Sequence, residues 1–247
     1  MRYLILSDIH ANWEALQAVL GSAAGHYDQI ICLGDLLGYG ADPNPVVDWA
    51  RANVAIIVRG NHDRACAGLE DLEWFNPIAR AAAEWTHEQL TPENLEYVAA
   101  LPQGPVDVGG FQVMHGSLLD EDEYVVEVSD AGQVFSYLET SLAFFGHTHI
   151  QGGFEWKQNR VRFLGKPRPP KQTEMALELD PECAYLLNPG SVGQPRDTDP
   201  RAAYVLYNPQ ERFLTFYRVD YDLSTAQAKI RRAGLPPLLA DRLAVGK

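Results

Sequence analysis

The stretch Tyr3-Leu4-Ile5-Leu6-Ser7-Asp8-Ile9-His10 decides the reading of the fold. Four apolar residues make a short buried run, and the run delivers a carboxylate and an imidazole at its C-terminal end. The same construction returns along the chain. Run 29–33 leads into Gly34-Asp35-Leu36-Leu37-Gly38, and run 54–58 into Arg59-Gly60-Asn61-His62-Asp63. Val113-Met114 leads into His115-Gly116-Ser117, and Ala143-Phe144-Phe145 into Gly146-His147-Thr148-His149. In open α/β sheets, ligands bind in the crevice outside the carboxyl ends of the strands, so this pattern gathers the polar groups in one place.

Helical patterns lie between the first runs. Residues 12–21 carry Trp13, Leu16, Val19 and Leu20 at helical spacing, and 45–52 is helix-like. Buried strands alternating with amphipathic helices predict parallel βαβ units. Residues 65–101 are predicted helical throughout, with Pro77 at a helix start and Thr91-Pro92 as N-cap and first helical position. Past Pro105 the pattern turns to strands, predicted at 106–107, 111–114, 142–145, 155–163, 184–187, 202–207 and 213–219. Ser224 is expected to cap a last helix running toward Ala233. The expected organisation is one α/β domain over 1–247, with a helical excursion at 65–101.

Composition narrows the function classes. The chain has 247 residues, 46% hydrophobic and 21% charged, which suits a packed core rather than disorder. Lys and Arg number 20 against 33 Asp and Glu, a net charge of −13. That balance, with no basic stripe, argues against nucleic acid and anionic membranes as partners. Cys32, Cys66 and Cys183 form no CxxC pair, so neither a disulfide framework nor a thiolate zinc site is expected. No leader-like segment precedes the first run, and no apolar run approaches ~18 residues. A soluble, cytoplasmic protein is the expectation.

The polar groups at the strand ends are chemically matched. Asp8 and Asp35 offer carboxylates, His10, His115, His147 and His149 imidazoles, and Asn61 an amide oxygen. Such oxygen and nitrogen donors suit Mn, Fe, Zn, Co or Ni. Asp-x-His and His-x-His put alternate side chains on one side of an extended segment. Seven donors exceed what one ion with open positions needs, and they suit two ions sharing a bridge, for which Asp35 is the natural candidate. Two ions ~3.5–4 Å apart can hold both oxygens of a phosphoryl displacement. Singly, a DxH is a common surface turn and a buried His a common core residue. Only the ordered set, each member behind an apolar run, carries the reading.

That ordered set, DIH, GDLLG, GNHD, HGS and GHTH, resembles the calcineurin-like metallophosphoesterase superfamily. The likeness is nearest to its small prokaryotic branch of phosphodiesterases and phosphatases, related to diadenosine tetraphosphatases. It covers residues 1–217, and Asn188-Pro189-Gly190-Ser191-Val192-Gly193-Gln194-Pro195-Arg196 also looks like that branch. The resemblance implies a four-layer αββα sandwich of two mixed sheets flanked by helices. It implies that Asp8, His10, Asp35 and His149 bind one divalent metal, and Asp35, Asn61, His115 and His147 the other, with Mn²⁺ the expected ion. His62 becomes the non-ligand histidine, an imidazolium near the leaving oxygen, with Asp63 orienting it. The implied reaction is in-line attack of a metal-bound hydroxide on a small phosphorylated substrate.

Phosphodiester bonds of small substrates, cyclic nucleotides or aryl and nucleotidyl diesters, are the first expectation. A phosphomonoesterase, a dinucleoside polyphosphate hydrolase, a protein phosphatase and a silent metal-binding scaffold are the alternatives. Arg196 reads as a phosphate clamp or a surface salt bridge. Asn12 reads as a substrate contact or a helix cap. The excursion either covers the site, through Glu73, Trp74, Phe75 and Asn76, or packs in an outer layer. Asp120-Glu121-Asp122-Glu123 and the basic loop Lys166-Pro167-Arg168-Pro169-Pro170-Lys171 read as solvated connections, with roles beside the site as the alternative. A homodimer is possible from sequence, and nothing in it measures one.

Overall fold

The computed structural model describes residues 1–167 and 171–247, so the centre of the basic loop, 168–170, lies outside the described residues. The first half alternates strand and helix: β1 (Tyr3–Leu6), α1 (Trp13–Ala23), β2 (Gln29–Cys32), α2 (Pro43–Asn53) and β3 (Ile56–Ile57). Three helices follow, α3 (Asn61–Cys66), α4 (Pro77–Gln89) and α5 (Pro92–Ala99). Then come β4 (Val106–Asp107), β5 (Gln112–Val113), α6 (Val128–Phe135) and β6 (Leu142–Phe144). The chain continues through β7 (Gly152–Lys157), β8 (Arg160–Leu164), β9 (Glu174–Glu178), β10 (Ala184–Asn188), β11 (Ala202–Asn208) and β12 (Phe213–Val219). It closes with α7 (Leu223–Arg232) and α8 (Pro237–Leu243).

Two mixed six-stranded sheets result, ordered β3-β2-β1-β11-β12-β9 and β4-β5-β6-β10-β7-β8. In the first sheet β1, β2 and β3 are parallel, and β11, β12 and β9 add antiparallel. In the second, β5, β6 and β10 are parallel, with antiparallel strands at both edges. Because side chains alternate along a strand, each strand serves two layers. Tyr3, Ile5, Ile31, Leu33, Val205 and Phe216 of the first sheet meet Phe144, Tyr185 and Leu187 of the second in one buried cluster. The neighbouring residues Leu4, Leu6, Ile30 and Cys32 face outward onto α1 and α2. Ala143, Phe145 and Leu186 face outward onto α6. The expected αββα layering is therefore present.

Several expected elements differ. Residues 65–101 are not helical throughout: 67–71 leave the helix, and a single 3-10 turn, Leu72–Trp74, precedes α4. The run 155–163 is a hairpin, turned at Gln158 and Asn159, both with positive φ, 48° and 60°. Apolar alternation continues across that turn and hides it. Helix α7 is capped by Asp222, which accepts from the Thr225 main chain, and not by Ser224. α6, β9 and α8 were not anticipated.

Candidate metal centre

Five loops meet where strands of both sheets end. β1 delivers Asp8 and His10, β2 Asp35, and β3 the start of α3 with Asn61 and His62. From the second sheet, β5 delivers His115 and β6 delivers His147 and His149. The turns are tight enough to require unusual backbone. Of the eleven non-glycine residues with positive φ among those described, seven lie here: Asp8, His10, Ala11, Asp35, Tyr39, His147 and His149. Left-handed backbone at carboxylates and histidines is strain that surrounding structure must hold, and it gathers at functional sites. The segment 188–196 supplies part of that hold. Asn188 Nδ2 donates to the Gly146 carbonyl at 2.8 Å, and Ser191 Oγ to the Asp8 carbonyl at 2.7 Å.

The side chains converge in two buried groups. Donor atoms of Asp8, His10, Asp35 and His149 lie within 4.8 Å of one another, as do those of Asp35, His115 and His147. Asp35 belongs to both. The Nδ1 atoms of His10, His115 and His149 sit 2.7, 2.8 and 2.5 Å from the main-chain carbonyls of Leu37, Leu33 and Gln194. A carbonyl accepts only, so each Nδ1 carries the proton and each Nε2 turns a lone pair inward. His147 is reversed, with Nε2 on the Asp122 carbonyl at 3.1 Å, so its Nδ1 is the inward atom. His10 Nε2 and His115 Nε2 are each 3.5 Å from Asp35 Oδ2. Asn61 Oδ1 joins this edge, 3.3 Å from His115 Nε2.

The electrostatics call for cations. Asp8 and Asp35 are wholly buried, and the Oδ2 of each has no hydrogen-bond partner. Burial pushes Asp8 up to about 7. It pushes Asp35 well above the carboxylate range, and the charge of Asp63 adds to this. Burial also drives His10 and His149 well below the imidazole range and His147 down to about 2. Neutral inward imidazoles around orphaned carboxylate oxygens form a donor set for divalent ions, because a buried charge is tolerated only when paired or bound to metal. The residues fit two ions.

The remaining expected residues take mixed places. His62 is buried at the centre, its ring 5.0 Å from that of His10 and 5.5 Å from that of Phe75. Its main-chain N–H donates to Asp35 Oδ1 at 2.9 Å, while Nδ1 is buried without a partner. Asp63 therefore does not orient His62. Its oxygens accept the main-chain N–H groups of Asp35, Leu37 and Gly60 at 2.9, 3.2 and 3.0 Å, tying the two loops together. Burial first, then the Arg196 guanidinium and His115, pushes His62 down to about 3. Asn12 is a cap: Oδ1 accepts from Ala15 N–H at 3.2 Å and Nδ2 donates to the Gly193 carbonyl at 2.9 Å. Arg196 is no surface salt bridge; it donates to the Tyr39 hydroxyl and Gln194 Oε1, both at 3.2 Å.

A mouth of about 240 Å³, open to solvent, leads to this centre, lined among others by Tyr39, His62, Phe75, Asn76, Tyr124 and His147. Phe75 and Asn76 show that the excursion walls the site, while Leu90, Val98 and Leu101 pack against the first sheet's outer layer. Phe75 and Asn76 form part of the wall, and the apolar face of the segment packs in the outer layer. The acidic run is not simply solvated: Glu121 is buried and paired with Arg59 and Arg64. Tyr39 and Tyr124 were missed. Tyr39 stands between Gly38 and Gly40 right after a motif, a usable signal. Tyr124 stacks on His147 with ring centroids 4.0 Å apart, and no local pattern announces it.

The calcineurin-like phosphoesterase superfamily domain matches residues 1–212. The chain belongs to the calcineurin-like phosphoesterase superfamily. A crystal structure of a metallophosphoesterase from Sphaerobacter thermophilus is 40% identical, covers 100% of this chain and 99% of its own, and superposes with a TM-score of 0.86. An uncharacterized protein of Methanocaldococcus jannaschii is 35% identical over 98% of this chain and 97% of its own length. A hypothetical protein from Pyrococcus horikoshii shares the fold, with a TM-score of 0.78 at 18% identity over 100% of this chain and 98% of its own. The buried Asp and His cluster is thus the metal-binding cluster of a metallophosphoesterase. Among the described residues no helix is long and apolar enough to cross a membrane.

Proposed function

We propose that this chain is a dinuclear phosphoesterase that hydrolyses phosphodiester bonds of small substrates, and that 1–247 act as one domain. One observation carries the reading. Asp35 belongs to both buried donor groups, and its unpartnered Oδ2 lies 3.5 Å from an inward Nε2 of each. Asp8, His10, Asp35 and His149 would hold one divalent ion, and Asp35, Asn61, His115 and His147 the other, Mn²⁺ being our choice. Two such ions lower the pKa of bound water toward ~7 and neutralise charge on phosphoryl oxygens.

The chain's own groups do the rest. His62 stands at the centre beside Asp35 and is not needed as a ligand, so it is free to meet the leaving oxygen. A phosphate anion beside the ring would raise its proton affinity. Asp63 keeps Asp35 and the His62 loop in register through their main-chain N–H groups. Arg196 adds positive charge toward the substrate. The aromatic faces of Tyr39, Phe75 and Tyr124 give an ester group beside the phosphoryl an apolar seat, which favours diesters over monoesters. Turnover of bis(p-nitrophenyl) phosphate and p-nitrophenyl phosphate with Mn²⁺ tests this. Diester hydrolysis that disappears in His62→Ala is expected. Preference for the monoester would make the chain a phosphatase, and no turnover with two ions bound would make it a scaffold.

A further inference from the structure

The histidines of the centre are not held alike. His10, His115, His147 and His149 each have a ring nitrogen on a main-chain carbonyl, at 2.7, 2.8, 3.1 and 2.5 Å. Among the described residues no such tie holds His62. Its Nδ1 is buried without a partner, and the neighbouring Asp63 uses its oxygens on main-chain N–H groups. The His62 ring is instead packed against other rings. Those of His10 and Phe75 lie 5.0 and 5.5 Å away, and that of Tyr39 is nearer, at 4.4 Å. An imidazole without a hydrogen bond is oriented by packing, and here the ring in closest contact is that of Tyr39.

Tyr39 is itself firmly held. Its φ is +63°, a conformation that a bulky residue keeps only when its surroundings impose it. The loop around it is stitched to the His10 loop: the main-chain N–H groups of Gly40 and Asp42 donate to the His10 and Ala11 carbonyls, both at 3.0 Å. The hydroxyl accepts from Arg196 Nη2 at 3.2 Å. The ring shares a buried cluster with Ala226 and Ile230 of α7 and with Leu239 and Leu243 of α8. The gap that Tyr39 lines together with those four residues is only about 10 Å³, room for one water at most, so the helices keep the ring from moving toward them. They are tied in turn. Lys229 of α7 pairs with Glu14 of α1 and with Asp42 Oδ2, the latter at 2.8 Å, and Gln227 Nε2 donates to the Ala240 carbonyl of α8 at 2.7 Å. Both helices follow the stretch 1–212 that the family domain matches.

We propose that Tyr39 is the positioning residue of His62, and that α7 and α8 set turnover by keeping Tyr39 in place. The ring acts on kcat, through His62, and the hydroxyl acts on KM, through Arg196. This inference rests on the phosphoesterase reading, in which His62 meets the leaving oxygen.

The test uses the Mn²⁺-loaded full chain and bis(p-nitrophenyl) phosphate. Tyr39→Leu is expected to lose about ten- to a hundredfold in kcat at unchanged metal content, as a displacement of ~1 Å at a reacting group does. Tyr39→Phe keeps the ring and kcat, and raises KM severalfold. Leu239→Ala opens space beside the ring and lowers kcat in the same way, by about tenfold. Leu239→Met keeps kcat, and Leu238→Ala, exposed on the same helix, leaves it as it is. Leu243→Val, a milder loss in the same gap, stands in if Leu239→Ala does not fold. A second readout needs no turnover. In the Zn²⁺-loaded chain, nuclear Overhauser contacts between the His62 and Phe75 rings are expected in wild type and in Tyr39→Phe, and are lost in Tyr39→Leu. Wild-type kcat in Tyr39→Leu, equal losses in Tyr39→Leu and Tyr39→Phe, or ring contacts that survive in Tyr39→Leu overturn the role of Tyr39. A folded Leu239→Ala with wild-type kcat overturns that of the helices. If no diester is hydrolysed while the ring contacts still follow the residue at position 39, the phosphoesterase reading fails and the positioning of His62 stands.

Discussion

Asp35 is anchored on one oxygen and free on the other. Oδ1 accepts from the His62 main chain, and Oδ2 is bare toward two histidines. Asp35→Asn keeps the shape and removes the charge, so metal content measured by atomic absorption should fall sharply. His62→Ala should keep both ions and lose about 10²–10⁴-fold in turnover, the usual worth of a positioned acid. If His62→Ala emptied the site, its role would be that of a ligand. Gly38 has φ +84°, and a Cβ there would come within 2.6 Å of His62 Nδ1. Gly38→Ala should therefore displace the ring and cut turnover without emptying the site. Asp8, raised to about 7 by burial, would release its proton to solvent when an ion binds its carboxylate. Apparent metal affinity should accordingly fall as pH drops below about 7, by about tenfold per unit for each proton displaced. Affinity flat from pH 5 to 8 would contradict that assignment. At this scale the sequence was largely legible, because Asp and His right after apolar runs announce both type and place. The left-handed backbone of Asp8, His10 and Asp35 was not, since it arises from contacts between loops distant in sequence.

The loop 117–124 shows what one element adds. Arg59 and Arg64, flanking the Asn61-His62 turn, hold Glu121, and Arg64 also reaches Asp122. The Asp122 carbonyl then orients His147, and Tyr124 stacks on it. Arg64→Ala should weaken retention of one ion, the His147 side, by about 10–100-fold in a chelator competition, as removal of a ligand's support does. Burial alone would raise the Glu121 carboxyl, but hydrogen bonds from Arg59 and Arg64 outweigh it and hold the group low. A lowered acid stabilises the fold above its unfolded pKa, ~4.3, and that stability is lost as pH falls through the lower folded value. Glu121→Gln should lower the melting temperature at neutral pH and narrow its difference from wild type below about pH 4. Legibility was weaker here. β9 reads Glu-Met-Ala-Leu-Glu, residues that favour a helix, and is a strand because it pairs along β12. α6 carries Gly132 and Ser129 within eight residues, so its pattern was faint.

As a whole, the molecule separates support from chemistry. The four buried apolar clusters contain none of the proposed metal ligands. Removing metal with a chelator should lower the melting temperature by mass action while the far-ultraviolet dichroism is retained. The two sheets bring strand ends from both halves to one rim, and α8 returns the end of the sequence to it. That return was invisible beforehand, since the segment after residue 233 gave no expectation of its own. The account's central claim is that one carboxylate joins two ions. Anomalous diffraction from crystals grown with Mn²⁺ measures it directly. Two peaks about 3.5–4 Å apart, both beside Asp35, are predicted. A single peak, or a second one away from Asp35 and His147, would contradict the two-metal centre.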